Sequence, residues 1–271
     1  MLSEHLKRRF VRDGYLLVED ALDEELVAEG RDLLAAELPE DLDDPEALVG
    51  VGSRSPSPDA DEPFTTVNER LYEYAAELAG DALVAPDGPG MQFALRYPRE
   101  VRLGAHHDRT PSFGHLDGYG PNYKETGEHG GFTVGAVAYF DDVVERGGGF
   151  TVWPGSHWVA ADYYAEHSFE SPGYHGQLPA IDDDGGWDYS RRFDQQARSR
   201  ELAGDAGSVV LWHNKMVHTA GVNQSPNVRM AGIQRFSRED YEEIKEDAAD
   251  KPFEYWDGLA DVDPAERPPT P

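Results

Sequence analysis

The sequence predicts a mainly β fold, an all-β sandwich or barrel with helices packed outside it. Three observations point there. Helical apolar spacing is confined to roughly the first 88 residues and one short stretch near the C-terminus. Beyond residue 88, apolar runs of strand length recur between Gly and Pro punctuation. The order, helices first and then many strands, suits a β core with outer helices. At 271 residues the chain can cover a sizeable core, as one large β-rich domain or two smaller ones.

The elements follow in order. Residues 3–12 read as a short helix closed by the turn at Asp13-Gly14. Tyr15–Val18 is a short strand. Asp23 is placed to cap a helix over 24–37, with Leu26, Val27, Leu33 and Leu34 on its apolar face. Residues 39–66 are rich in Asp, Pro, Ser and Gly and read as a loop. A second helix is expected over 67–80, with Leu71, Tyr74, Ala75 and Leu78 facing inward. Strands are expected at Met91–Tyr97, Phe132–Phe140, Phe150–Trp153, Ser208–Trp212 and Val228–Phe236. Residues 158–200 hold aromatics and acids with little periodicity. A segment of that length without structure of its own reads as a lid. A short helix at about 238–247 precedes a Pro-rich, frayed tail over 262–271. The expected organisation is a single domain over 1–271: a helical N-terminal part (1–88), a β core (about 89–237) carrying the 158–200 lid, and a C-terminal helix and tail (238–271).

Composition excludes several functions. Cysteine is absent, so there is no disulfide framework, thiolate zinc site or cysteine nucleophile. Any metal must be held by His, Asp or Glu. The formal charge is −29, from 53 acidic against 24 basic residues, which argues against nucleic-acid binding. The acids are spread along the whole chain, and Lys is scarce (Lys7, Lys124, Lys215, Lys245, Lys251). That balance fits a halophilic protein, because molar salt shortens the Debye length to about 3 Å and screens self-repulsion. No segment has the length of an apolar membrane span, and the N-terminus lacks the apolar stretch of a secretory signal. A cytoplasmic protein with no membrane partner is expected.

The chemistry centres on Gly114-His115-Leu116-Asp117-Gly118. A His and an Asp two apart on a strand share a face and can offer one nitrogen and one oxygen to a single cation. His218, between two strand-like segments, is the best third donor. Two His and one carboxylate leave three positions open, as non-haem Fe(II) oxygen chemistry requires. Arg229 lies 11 residues beyond His218 on the following strand. Its guanidinium suits a bidentate pair with a carboxylate lying against the metal, as binding of 2-oxoglutarate requires. A second His-x-Asp, His106 with Asp108, competes with His115 and Asp117, and an isolated His-x-Asp occurs often by chance. The bland reading of His106, His107 and Asp108 is a polar strand end near the pocket mouth.

Other features read as structural. His213 is a core histidine before it is a metal neighbour. Trp153, Tyr119 and Trp212 are packing residues before they are substrate walls. His129, His167 and His175 lie in expected loops. Gly147-Gly148-Gly149 lacks the Lys and Ser/Thr of a phosphate loop and reads as a tight turn into a strand. Ser156 lacks the context of a hydrolase nucleophile. Asp141-Asp142 and Asp182–Asp184 read as solvated turns.

The segments FVRDGYLLVEDAL, GGGFTVWPGSH and HTAGVNQSPNVRMAGIQRF resemble the phytanoyl-CoA dioxygenase family, over roughly residues 8–238. The resemblance implies a mainly β fold with flanking helices around a double-stranded β-helix (jelly-roll) core. It implies an Fe(II)- and 2-oxoglutarate-dependent dioxygenase using O2 and a small-molecule substrate. Such an enzyme hydroxylates an aliphatic carbon of a small metabolite or lipid-derived acid and releases succinate and CO2. Residue by residue, it makes His115, Asp117 and His218 the metal ligands and Arg229 the anchor of the far carboxylate of 2-oxoglutarate. Gln92 becomes a pocket-lining residue at the co-substrate, and His157 a structural turn histidine. Some relatives carry a small residue in place of the Asp and halogenate; Asp117 favours hydroxylation. Two rivals stay open. One is a non-catalytic jelly-roll binding protein. The other is a cupin-type metal enzyme without 2-oxoglutarate, which usually shows a His-x-His pattern that is not found here.

Overall fold

Ser3 starts the first helix by accepting a hydrogen bond from the Leu6 N–H. Helix α1 (Glu4–Asp13) buries Phe10 and Val11 and ends at Gly14, whose φ of 82° suits glycine. A Cβ at Gly14 would also strike Met216 and His157, so this corner tolerates no side chain. In this computed structural model, residues 1–59, 61–99, 122–123, 129–130, 133–166, 199–216 and 218–262 are described.

The chain turns from Gly14 into strand β1 (Tyr15–Val18) and then into α2 (Glu24–Ala36). Asp23 stands at the N-cap with extended backbone but makes no side-chain capping bond, so the expected cap is positional only. The stretch read as a loop over 39–66 contains a one-turn helix, α3 (Pro45–Leu48), and strand β2 (Ser53–Arg54). Helix α4 (Phe64–Ala79) begins three residues before its expected start, because Phe64 already belongs to its buried stripe with Val67, Leu71, Ala75 and Leu78. Tyr74 is only partly buried.

The strands build two main sheets. β3 (Gln92–Arg96), β6 (Val134–Tyr139), β9 (Val209–His213) and β11 (Arg229–Phe236) join β1 and β2 in an antiparallel sheet of order β1-β9-β6-β11-β3-β2. β7 (Phe150–Val152), β8 (Arg200–Leu202) and β10 (His218–Ala220) form a three-stranded sheet of order β10-β7-β8. β4 (Asn122–Tyr123) and β5 (His129–Gly130) pair with each other. Since β1 is in the larger sheet, the N-terminal part is built into the β core as well as covering it.

Side chains alternate along each strand, so the larger sheet has two buried faces. One face carries Leu16, Leu95, Ala136, Leu211 and Met230 and packs under Phe10, Phe64, Leu71 and the rest of the helical layer. The other carries Tyr15, Val137, Tyr139, Val210, Trp212 and Ala231. It meets Phe150, Val152 and Leu202 of the smaller sheet. Two facing antiparallel sheets with helices on one outer side give the mainly β, jelly-roll architecture expected. All six residues of β6 are buried, which explains its run of small apolar residues.

Two further expectations need correction. Part of the segment read as a lid is regular structure: α5 (Ser156–Glu166) is a helix, and Arg200 begins β8. Residues 167–198 lie outside the described residues. The C-terminal helix is one turn, α6 (Tyr241–Ile244), followed by a 3-10 turn at Asp257–Leu259. Trp256, Leu259 and Val262 are buried, so the chain is packed through Val262, where the tail was expected to begin. Among the described residues, no helix is long and apolar enough to cross a membrane.

His213 ties this C-terminal stretch to the core. It is fully buried, and its Nδ1 accepts from the Lys215 N–H at 2.9 Å. Its Nε2 therefore carries the proton and donates to the Pro252 carbonyl at 2.7 Å. Trp256 stacks on the ring at 4.8 Å. Burial, with His157 and Lys215 nearby, holds its pKa well below the ordinary histidine value. The folded state keeps this ring neutral, whereas the unfolded chain protonates it near pH 6.5. Its contribution is therefore fully present above about pH 6.5 and falls as the pH drops below that. Measured by denaturant unfolding against a His213→Gln variant, wild-type stability should fall by up to about 1.4 kcal/mol per pH unit there. A pH-independent difference would refute this.

Candidate active site

His218 is the first residue of β10 and pairs in register with Val152 of β7. Its side chain enters the space between the two sheets. The ring stacks on Phe150 at 4.9 Å, lies 5.3 Å from Trp212, and is only 4% exposed. The Met216 carbonyl lies 2.9 Å from Nδ1 and takes its proton. That tautomer puts the lone pair on Nε2 and fixes the ring plane, as is typical of a histidine that ligates a metal.

The proximal pair His115 and Asp117, and the competing pair His106 and Asp108, lie outside the described residues. Among the described residues, no group of three His, Asp or Glu gathers as a metal site.

Arg229 opens β11 on the inner face of the larger sheet. It is 4% exposed, and its Nε donates to the Gly148 carbonyl at 3.0 Å. Nη1 donates to the Ala94 carbonyl at 3.3 Å. Burial pulls its pKa down to about 10, with Tyr139 and Glu201 acting upward and Arg96 downward. At neutral pH it remains a cation. It has no ion pair among the described residues, so three of its five N–H groups are left for a ligand. A buried guanidinium without a carboxylate is costly unless an anion completes it.

Arg96 stands directly opposite Arg229 in the β3–β11 register. Phe93 and Leu95 turn toward the helical layer, which puts Gln92, Ala94 and Arg96 on the inner face. Burial lowers the Arg96 pKa, and its buried Nε has no hydrogen-bond partner. Sequence reasoning missed Arg96, although it stands two pairs of residues beyond Gln92 on one face of a recognised strand. Gln92 itself sits at the exposed end of that face and accepts from Arg235 at 3.3 Å.

Tyr139 lies beneath this floor. Its hydroxyl donates to the Leu202 carbonyl at 2.8 Å and accepts from the Phe150 N–H at 3.0 Å. Burial pushes its pKa up to about 12, so it bridges the two sheets as a neutral group. The Gly147-Gly148-Gly149 run turns the chain into β7, as expected. It also has a function the sequence did not announce: Gly148, at φ 81°, presents the carbonyl that orients Arg229.

His157 is structural. It is fully buried in the first turn of α5, with Nε2 3.0 Å from the Val11 carbonyl. The Pro-Gly-Ser-His turn is bonded to more than itself, since the Gly155 N–H donates to Asp13. Ser156 is buried and points its hydroxyl at the Met216 sulfur at 3.1 Å. Trp153 and Trp212 are buried packing residues.

The sequence model of the family described as phytanoyl-CoA dioxygenase (PhyH) matches residues 10–231. No curated protein matches the chain. Solved structures of similar fold include EctD from S. alaskensis with 2-oxoglutarate and 5-hydroxyectoine. It is 17% identical with a TM-score of 0.52, covering 88% of this chain and 76% of that one. HygX from Streptomyces hygroscopicus with nickel and 2-oxoglutarate is 16% identical with a TM-score of 0.51, covering 88% of each chain. The non-haem α-ketoglutarate-dependent carbocyclase SnoK from nogalamycin biosynthesis is 17% identical with a TM-score of 0.51, covering 87% and 83%.

Proposed function

The chain belongs to the phytanoyl-CoA dioxygenase family of non-haem iron, 2-oxoglutarate-dependent oxygenases, and from that premise we propose that it hydroxylates an aliphatic carbon of a small metabolite or lipid-derived acid. The overall change is R–H + O2 + 2-oxoglutarate to R–OH + succinate + CO2. The iron ligands would be His115, Asp117 and His218, and Arg229 would pair with the far carboxylate of 2-oxoglutarate. Gln92 would line the rim.

One observation supports this reading above the others. A histidine of the smaller sheet with its lone pair on Nε2, and a buried arginine of the larger sheet with no ion pair among the described residues, both face the space between the two sheets. The donor set fits a borderline cation such as iron. Iron with its bound keto acid supplies O2 activation and the oxidising power. The protein supplies the rest. The Met216 carbonyl fixes the His218 tautomer, and Gly148 and Ala94 aim the guanidinium. Phe150, Trp212 and Val152 keep the wall apolar, limiting water at the reacting centre.

The test is iron-dependent succinate release and O2 uptake in the presence of 2-oxoglutarate and candidate substrates, the product being read as a mass gain of one oxygen. Arg229→Gln should raise the KM for 2-oxoglutarate by roughly 10- to 100-fold, through loss of charge-assisted bonds. Stabilisation of wild type by 2-oxoglutarate should weaken in parallel in thermal melts. An unchanged KM would remove Arg229 from the co-substrate site. If 2-oxoglutarate neither stabilises nor is consumed by the wild type, the non-catalytic binding protein becomes the better reading.

A further inference from the structure

The larger sheet places two arginines side by side where like charges repel. Arg229 and Arg96 are direct partners across β11 and β3, and both occupy the inner face. Opposed like charges in a sheet destabilise it. Arg229 reaches across β3 to the Ala94 carbonyl, so its head lies over the strand that carries Arg96. Neither guanidinium has an ion pair among the described residues, and the buried Arg96 Nε has no acceptor. Arg96 also acts on Arg229 electrostatically, opposing its protonation. Two such cations held together with no ion pair among the described residues, and with Glu201 acting on Arg229 only through space, favour an anion lying between them.

We infer that Arg96 is a second cationic anchor for the far carboxylate of the 2-oxoglutarate that Arg229 holds. The inference rests on the co-substrate assignment above. It makes the pocket selective for a dianionic keto acid, since a keto acid without the second carboxylate leaves both arginines uncompensated. A single arginine pairs one carboxylate edge, and a second on the neighbouring strand engages the remaining lone pairs and fixes the depth of the co-substrate.

Affinity measured by anaerobic calorimetry on the iron-loaded protein tests this, with 2-oxoglutarate and 2-oxovalerate as the two probes. The wild type should prefer 2-oxoglutarate strongly. Arg96→Gln should weaken 2-oxoglutarate by roughly 10- to 100-fold and leave 2-oxovalerate unchanged. Arg96→Lys, which keeps the charge, should recover part of the loss. Without ligand, Arg96→Gln should melt at or above the wild-type temperature, because it removes a repulsion. A lower melting temperature with unchanged 2-oxoglutarate affinity would assign Arg96 a structural role and overturn the inference. An equal loss for both keto acids would also overturn it, since the contact would then not be at the far carboxylate. Failure of the wild type to bind 2-oxoglutarate at all would overturn the co-substrate assignment itself, and this inference with it.

Discussion

His218→Ala should abolish 2-oxoglutarate turnover, by at least about 100-fold, and lower the bound iron per chain. Loss of an outer-shell partner of a metal ligand already costs 10- to 100-fold, so loss of the ligand itself costs more. The ring is held on three sides: Phe150 stacks on it, Trp212 borders it, and Met216 binds Nδ1. That constraint is what makes Nε2 a fixed donor. Alanine also leaves the Met216 carbonyl without its partner, at roughly 1–3 kcal/mol. A modest drop in melting temperature should therefore accompany the loss of activity. His218→Gln separates the two effects. Its amide can still donate to Met216, so stability should recover while turnover stays lost. Wild-type iron content and turnover in His218→Ala would sink the ligand assignment. The same two readouts on Asp117→Ala and Asp108→Ala decide which His-x-Asp pair completes the set.

The parts of the fold that were legible had local causes. Ser3 and Gly14 bracket α1 because a hydroxyl cap and a left-handed glycine are visible in one chain segment. β6 stood out because both of its faces are buried and every residue is small or apolar. The parts that were missed are set by tertiary partners. Arg200–Leu202 and His218–Ala220 are three-residue strands with no apolar run, and only pairing with β7 makes them strands. α5 hid for a different reason. Its buried positions His157, Ala160, Ala161 and Tyr164 keep helical spacing, but a histidine and two alanines make a weak apolar stripe. Of the residues proposed for the site, His218 and Arg229 stand out in the sequence by type and spacing. Arg96 does not, because its placement opposite Arg229 comes from cross-strand register, which no single segment carries.

Gly135→Ala should be strongly destabilising, though it adds a single methyl group. Gly135 on β6 faces Trp212 on β9 in direct register. The indole lies flat across the glycine, and an added Cβ would stand 2.1 Å from two atoms of the ring. Trp212 is fully buried and has nowhere to go. It packs on Phe150 at 4.8 Å on one side and borders His218 on the other. Overpacking of this kind costs about 1–3 kcal/mol, sometimes more, which for a chain of this size lowers the melting temperature by roughly 5–10 °C. The displaced ring would also press on Phe150 and His218, so 2-oxoglutarate binding should weaken with stability. Gly90→Ala is the control: its nearest neighbour to an added Cβ is 3.9 Å away, and a change within about 0.5 kcal/mol is expected. Trp212→Phe shrinks the opposing ring. In the wild-type background it should destabilise, whereas in the Gly135→Ala background it should cost less or help, a coupling that a double-mutant cycle measures. Additive effects would mean that the two residues do not compete for the same space. In that case the wall beside His218 is not set by this glycine.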